Sequence, residues 1–128
     1  MSSNVDRCPF CGLDPRRVLE ENECAKALRD GYPVTDLHTL IVPKRHVATY
    51  FDLTDDERQG IHVLLQSQQE KIRAEDSSVG GFNIGWNCGG VAGQTVFHSH
   101  VHLIPRRQGD VENPRGGVRN LMPGRGEY

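Results

Sequence analysis

The sequence predicts one compact domain in which several β-strands are combined with a single long α-helix. The chain has 128 residues, enough to bury one hydrophobic core and too few for two. A helix-capping sequence is followed by apolar residues at helical spacing, and other segments alternate in character at every second position. With 36% hydrophobic and 25% charged residues, the composition is that of a globular protein.

The predicted strands come from local patterns. Residues 19–28 are predicted to form a short hairpin, and the apolar, β-forming residues 37–42 a core strand that ends at Pro43. A half-buried strand is predicted where larger apolar side chains recur at every second position, at Phe82, Ile84 and Trp86. A fourth strand, over residues 96–104, carries the histidines discussed below.

The long helix is predicted over residues 54–76. Thr54 and Glu57 form a capping box, in which the threonine hydroxyl accepts from the amide three residues on and the glutamate reaches back. Apolar residues then recur at helical spacing at Ile61, Leu64, Leu65 and Ile72.

Composition also excludes several classes of function. No stretch approaches the eighteen or more apolar residues of a spanning helix, and residues 1–14 contain no apolar core of a secretory signal. We therefore expect a cytoplasmic protein without a membrane partner. A net charge of −2 and a pI near 6.3 give no support for binding to long nucleic acid.

Two of the four cysteines, Cys8 and Cys11, form a C-x-x-C motif. The motif suits half of a zinc site, and it also occurs as a redox dithiol. The redox alternative requires a strand before the motif and a helix beginning at it, whereas few residues precede Cys8 and Pro15 interrupts a helix. Zinc is favoured, with redox or inert cysteines as alternatives; Cys24 and Cys88 are interpreted as small buried residues.

Three histidines, His98, His100 and His102, alternate along the fourth predicted strand, so their side chains would share one face. They could ligate a catalytic metal or act as nucleophilic and acid–base groups. Metallohydrolases of the H-x-H-x-D-H kind need a nearby carboxylate, but Ser99 and Val101 stand between these histidines. This weakens a hydrolytic metal centre without excluding one built from distant ligands.

Imidazole as a nucleophile suits phosphorus chemistry. A neutral ring nitrogen can attack an α-phosphate and give a phosphoramidate that water later cleaves. Such a step needs donors for the phosphoryl oxygens, and the preceding Gly93-Gln94-Thr95 can supply backbone amides, a side-chain amide and a hydroxyl.

From Cys8 to about Asp110 the chain resembles the histidine triad family of nucleotide hydrolases and transferases. The residues that carry the resemblance are the alternating histidines with the Ala92-to-Val96 segment before them and Pro105-Arg106 after them. The segment from His38 to His46 is similar to the family's upstream strand and turn, which carries a further active-site histidine. Ser99 departs from the family signature, which usually has an apolar residue there.

The resemblance implies a role for each matching position. His100 would be the nucleophile, His102 would contact the phosphate and leaving group, and His38 would support them. The residues expected to bind the nucleotide and its phosphates are Asp30, Asn87, Gln94 and Thr95.

One branch of the family completes an N-terminal C-x-x-C zinc site with two histidines. The corresponding residues here are Cys8, Cys11, His46 and His98, a closed set of the kind that holds structural Zn²⁺. The segment 1–14 would thereby be tied to the back of the active site.

The implied fold is α+β: an antiparallel sheet of about five strands with one long helix and a short helix, in a homodimer. Residues 1–128 would form a single domain with an Arg-, Gly- and Pro-rich arm over 105–128. The implied activity is hydrolysis at the α-phosphate of dinucleoside polyphosphates, with diadenosine tetraphosphate as the favoured adenine nucleotide. Alternatives are a phosphoramidase or nucleotidyl transferase, a nucleotide-binding regulatory module, or a zinc-centred interaction protein.

Overall fold

The computed structural model describes residues 7–127, and these form a five-stranded antiparallel sheet with one long helix. The strands lie in the order β1-β2-β3-β5-β4. The α+β class, the sheet and the helix are as the sequence predicted. Among the described residues no helix has both the length and the apolar character to cross a membrane. The elements are β1 (Val18–Glu21), β2 (Ala25–Arg29), β3 (Thr39–Pro43), α1 (Asp55–Glu75), β4 (Val79–Trp86) and β5 (Val101–Arg107), with short 3-10 helices before β1, in two of the connections and in the C-terminal arm.

Helix α1 begins at the predicted capping box. The Thr54 hydroxyl accepts from the Glu57 amide, and the Glu57 carboxylate accepts from the Thr54 amide. The helix buries one residue per turn, and two of them are polar. One is Glu57 of the capping box; the other, Gln68, donates to Glu20 on β1 and accepts from Arg29 on β2. Gln68 thus occupies the buried helix position between Leu65 and Ile72, where the predicted apolar pattern has no residue. The buried residues are Glu57, Ile61, Leu64, Gln68 and Ile72.

The two faces of the sheet have different roles. Helix α1 packs across β2, β3 and β5 on one face, where its Ile61 and Leu64 meet side chains such as Ile41 and Val101 in the main core. On the helix-free face, a smaller cluster of Leu28, Leu40 and Val42 is covered by Phe10 and Leu13 from the N-terminal segment. His102 projects to this helix-free face, since its neighbours Val101 and Leu103 belong to the core on the helix side.

Strand β3 begins at Thr39, two residues later than predicted. Leu37 has a φ of 70°, a left-handed conformation that a branched residue rarely adopts. The turn is held by the His38 amide, which donates to the Thr35 carbonyl, and by the Thr39 hydroxyl, which donates to the Leu37 carbonyl. The predicted strand start was therefore wrong, and the turn places His38 immediately before the strand.

The prediction of a strand over residues 96–104 was also wrong at its beginning. Strand β5 starts at Val101, which pairs with Trp86 and Ile41, whereas the Ser99 amide donates to the Val47 carbonyl in the loop after β3. The backbone around His98 and His100 is thus bound to a loop instead of to the sheet. At the other end β5 runs to Arg107, so the C-terminal arm begins three residues later than expected.

Asn22, in the turn of the β1–β2 hairpin, ties the hairpin to the helix. Its side-chain oxygen accepts from the amides of Cys24 and Ala25, and its side-chain nitrogen donates to the Gly60 carbonyl on α1. The close approach depends on the glycine, because a Cβ at position 60 would lie 3.0 Å from the Cys24 Cβ.

We expect Asn22→Ala to lower the free energy of unfolding by about 2 kcal/mol, because it removes three hydrogen bonds that are partly shielded from water. Urea unfolding monitored by circular dichroism measures the change. The adjacent exposed residue provides the control, since Glu23→Ala should leave stability within about 0.5 kcal/mol of wild type. Equal stability of the two variants would contradict the role given to Asn22.

Candidate active site and metal centre

His100 is held so that one particular ring nitrogen faces outward. Its Nδ1 lies 2.8 Å from the backbone carbonyl of His98. A carbonyl only accepts, so Nδ1 carries the proton and donates, and the neutral ring keeps its lone pair on Nε2. The contact therefore leaves the lone pair on Nε2 of His100 available for a ligand.

The tautomers of His38 and His102 follow from the same reasoning. The Val34 amide donates to Nδ1 of His38 at 3.1 Å, so the ring proton of neutral His38 lies on Nε2. This proton is donated to Nδ1 of His102 at 2.9 Å. His102 in turn carries its ring proton on Nε2, where it serves as a hydrogen-bond donor. The His102 ring lies 5.2 Å from the ring of His100, measured between centroids.

Burial keeps His102 neutral. Desolvation, followed by the neighbouring His100 and His38, lowers the pKa of His102 to about 4. Burial also lowers the pKa of His38, although the carboxylate of Asp30 opposes the shift. At neutral pH these two rings are therefore donors and acceptors without net charge.

Asp30 completes the cluster next to His38. Its Oδ2 lies 3.4 Å from Nε2 of His38 and 4.0 Å from Nδ1 of His102, while its Oδ1 accepts from the Tyr32 amide. Asp30 Oδ2, His38 Nε2 and His102 Nδ1 are close enough together to be considered as metal ligands. The Val34 contact argues against that use, because it keeps the proton on the nitrogen of His38 that would have to bind the metal.

A cavity of about 320 Å³, here called the histidine cavity, opens in front of His100. It brings together most of the residues that the resemblance singled out. Lining it are Asp30, Asn87, Gln94, Thr95, His100 and His102, together with Pro9, Phe10, Arg17 and Tyr32.

The last four of these residues were missed by the sequence reasoning. The Phe10 ring lies 5.1 Å from the His100 ring and 5.6 Å from the His98 ring. The sequence did contain a sign of this placement, because Pro9 and Phe10 lie between the two cysteines. A metal bound jointly by the cysteines and the histidines brings the residues between Cys8 and Cys11 close to the histidines.

Gln94 and Thr95 both lie in the glycine-rich loop, but they differ in what their side chains can do. The buried Gln94 side chain donates to the carbonyls of Ala48 and Val96 and accepts from the Gly89 amide. With both side-chain donor directions in use, these contacts favour a positioning role over the phosphate-binding role that the resemblance implied. Thr95 is exposed at the cavity, where its hydroxyl can reach a ligand.

Behind the active site, Cys8, Cys11, His46 and His98 converge from three parts of the chain. Nδ1 of His98 lies 3.3 Å from Sγ of Cys8 and 3.1 Å from Nδ1 of His46, and Sγ of Cys11 lies 3.1 Å from Nδ1 of His46. Tetrahedral Zn²⁺ with ordinary bond lengths spaces its ligand atoms about 3.3 to 3.8 Å apart. The separations are therefore close to those that zinc requires.

The surroundings of the cluster also fit a metal. Nε2 of His98 lies 2.8 Å from the Pro43 carbonyl and must donate to it, which leaves the Nδ1 lone pair directed at the cysteines. His46 is held by its neighbour Arg45, which makes two hydrogen bonds to the buried carboxylate of Glu57. These bonds lower the pKa of the Glu57 carboxyl to about 2. They also attach the turn that carries Arg45 and His46 to the start of α1.

Comparison with protein families identifies relatives of this chain. The HIT domain family model matches residues 13–109. An uncharacterised HIT-like protein of Methanocaldococcus jannaschii is 37% identical over 119 residues, which cover 89% of this chain and 91% of that protein. A bifunctional bis(5′-adenosyl)-triphosphatase/adenylylsulfatase of Arabidopsis thaliana is 32% identical over 100 residues, covering 78% of this chain and 55% of that protein.

Two solved structures are similar to this chain over most of its length. A zinc-bound histidine triad family protein from Mycobacterium smegmatis superimposes with a TM-score of 0.75 at 34% identity, covering 85% of this chain and 81% of that one. A diadenosine triphosphate hydrolase of Plasmodium falciparum superimposes with a TM-score of 0.69 at 28% identity, covering 79% of this chain and 68% of that one.

We expect metal analysis of the purified protein to find about one zinc per chain, as a closed four-ligand site predicts. The double variant Cys8→Ser, Cys11→Ser should lose the metal and melt at a lower temperature, because the ligands that join the N-terminal segment to the loops are removed. The double variant Cys24→Ser, Cys88→Ser is the matched control and should keep its zinc. Equal zinc contents in both double variants would contradict the assignment of the ligands.

The low pKa of His102 predicts a specific dependence of stability on pH. In the unfolded chain the His102 ring binds a proton near its ordinary pKa of 6.5, whereas in the folded chain it does so only near pH 4. Between these values the unfolded state carries more protons, so the free energy of unfolding falls as the pH is lowered through this range.

Urea unfolding at a series of pH values, with NMR titration of the His102 ring, tests this expectation. The His102→Gln variant should show a shallower loss of stability between pH 6.5 and 4. Its counterpart at the exposed helix position, His62→Gln, should keep the wild-type slope. A His102 resonance that titrates at its ordinary pH would disprove the account.

Proposed function

Since the chain belongs to the HIT domain family, we propose that it is a nucleotidyl hydrolase acting at the α-phosphate of dinucleoside polyphosphates or related nucleotide conjugates. The observation that carries the proposal is the pair of fixed tautomers: Nε2 of His100 has a lone pair, and Nε2 of His102 has a proton. Nucleophile and donor therefore face one cavity together. Support comes from the plant and Plasmodium relatives, whose names record hydrolysis of diadenosine triphosphate.

In the first step Nε2 of His100 attacks the α-phosphorus, and the bond from phosphorus to the leaving group breaks. The electron pair of that bond leaves with the departing group, and the nucleotide becomes bonded to His100. The positive charge that develops on the imidazole is stabilised by the hydrogen bond from Nδ1 to the His98 carbonyl. His102 donates a hydrogen bond from Nε2 to a phosphoryl or leaving-group oxygen and, as a neutral ring, keeps its proton throughout the step.

In the second step water attacks the phosphorus of the nucleotidyl-histidine from the side that the leaving group has vacated. The phosphorus–nitrogen bond breaks, its electron pair returns to Nε2 of His100, and the proton of the water passes to solvent. The product is a nucleoside monophosphate, and His100 regains its starting tautomer.

The remaining cavity residues bind the nucleotide in this proposal. The carboxylate of Asp30 accepts from the ribose hydroxyls, Asn87 and the Thr95 hydroxyl donate to phosphate oxygens, and the Phe10 ring covers the nucleoside. All four line the histidine cavity. Adenine is the proposed base because of the diadenosine substrates named for the relatives.

Zinc is proposed as a structural cofactor held by Cys8, Cys11, His46 and His98. With four protein ligands it would have no open position for substrate, so its chemistry would be to crosslink the chain. The His98 backbone, which orients His100, would be fixed in this way.

A homodimer also remains part of the proposal. Strand β4 lies at the edge of the sheet, where its outer hydrogen-bonding groups can pair with a second chain. Ile84, in the middle of β4, is 51% exposed and would be covered by such pairing.

The decisive test is hydrolysis of diadenosine tetraphosphate by wild type and by His100→Ala. We expect the variant to lose at least about a thousandfold in kcat, because the nucleophile is absent. His62→Ala, on the exposed face of α1, should retain full activity. Rapid alkaline quenching of wild type with labelled substrate, which preserves the phosphorus–nitrogen bond, should trap a nucleotidylated protein; turnover by the folded His100→Ala protein would overturn the mechanism.

A further inference from the structure

We propose that Arg17 recognises the base of the bound nucleotide and makes the site selective for purines. The inference rests on the proposed function and deepens it, because it assigns a specificity-determining residue at the nucleoside end of the histidine cavity. Among the described residues that line this cavity, Arg17 is the one with a permanent positive charge. The phosphate site proposed above consists of neutral donors, so this cation needs a role of its own.

The sheet places Arg17 far from the reacting phosphorus. Arg17 directly precedes β1, whereas His102 lies on β5, and β2 and β3 run between these two strands. Three steps between neighbouring strands, at about 4.8 Å each, separate the two backbones by roughly 14 Å. Asp30 directly follows β2 and His38 directly precedes β3, so both lie between them. The cavity thus presents a phosphate-contacting ring, a ribose-binding carboxylate and a guanidinium in the order of phosphate, ribose and base in a nucleotide.

The guanidinium of Arg17 is held beside the proposed ribose site. Its Nη2 donates to the Arg29 carbonyl at 3.0 Å and lies 3.7 Å from the place that a Cβ on Gly31 would occupy. Gly31 does not have a positive φ, so its backbone does not require a glycine. The missing side chain instead leaves room for the guanidinium. Asp14, in the same turn, forms its ion pair with Arg16.

A base suits this position better than a further phosphate does. Among the described residues the Arg29 carbonyl is the acceptor for the Arg17 side chain, so a face and other N–H groups of the planar cation can meet a ligand. A phosphate here would be repelled by the carboxylate of Asp30, which is next to Gly31 in the chain. A neutral aromatic ring avoids this repulsion and is attracted to a guanidinium. Leu40, which is buried and lines the cavity, gives the ring an apolar surface.

The position of Arg17 at the far end of the cavity makes the size of the base important. A purine has two fused rings and reaches farther from the ribose than the single ring of a pyrimidine does. It also offers the cation a larger π surface. We therefore expect adenine to be bound more tightly than uracil, and this difference to depend on Arg17.

The test is the binding of adenosine 5′-monophosphate and uridine 5′-monophosphate, measured by isothermal titration calorimetry. Wild type should bind the adenine nucleotide about tenfold more tightly. Arg17→Gln should reduce this ratio about fivefold, the loss expected for one cation–π contact. Since the two ligands share ribose and phosphate, any general attraction of Arg17 for anions cancels in the ratio.

Two further variants separate the contact from charge and from local structure. Arg17→Lys keeps the positive charge without the planar group, and it should also lower the ratio. Arg16→Gln is the matched control, because this neighbouring arginine pairs with Asp14 and does not line the cavity. It should keep the wild-type ratio.

An unchanged ratio in Arg17→Gln would overturn the assignment, and so would an equal weakening of both nucleotides, which would place Arg17 at the ribose or phosphate. A wild-type ratio in Arg17→Lys would also overturn it, since charge alone would then suffice. The hydrolysis assay separates this inference from the proposed mechanism. Turnover by His100→Ala together with an adenine preference that depends on Arg17 would refute the mechanism alone. An inactive His100→Ala together with a ratio independent of Arg17 would refute base recognition alone.

Discussion

The hydrogen bond from the His100 ring to the His98 carbonyl is the constraint on which the site depends. It selects the tautomer of the proposed nucleophile, and it can do so only if the His98 backbone is fixed. Residue 98 is fully buried, and both of its ring nitrogens are engaged, one by the Pro43 carbonyl and the other by the cysteine cluster. The sheet, the N-terminal segment and the loop after β3 thus combine to orient one imidazole.

Burial and hydrogen bonding provide this arrangement without a strongly charged pocket. The pKa values of His38 and His102 are lowered by desolvation, and the tautomer of each ring is set by a hydrogen bond that its Nδ1 accepts, from the Val34 amide in His38 and from Nε2 of His38 in His102. A site of neutral donors can bind a phosphoryl group and leave room for charge to develop in the transition state. This explains how a chain with a net charge of −2 can contain a candidate phosphate site.

The sequence predicted those features that depend on local patterns or on a specific motif. The capping box of α1 and the hairpin are of this kind, whereas the convergence of Cys8 and Cys11 with two distant histidines was expected only from the resemblance to a family. It did not predict features set by long-range contacts. The start of β5 depends on an amide at Ser99 that binds a loop 52 residues earlier, at Val47, and the turn before β3 depends on a left-handed Leu37. The sequence places Gln94 in the glycine-rich loop, but it does not predict the hydrogen-bond partners of the Gln94 side chain.

His98 illustrates how one residue can serve two requirements through separate chemical groups. Its imidazole belongs to the metal cluster, whereas its main-chain oxygen acts on His100. Every amino acid supplies that oxygen, but few supply a nitrogen ligand at the right distance. The proposed metal would therefore constrain sequence variation at this position directly, whereas the proposed catalysis would constrain it only through the path of the backbone. In a relative that fixes the same loop by packing alone, the imidazole could be dispensed with while the catalytic contact is retained.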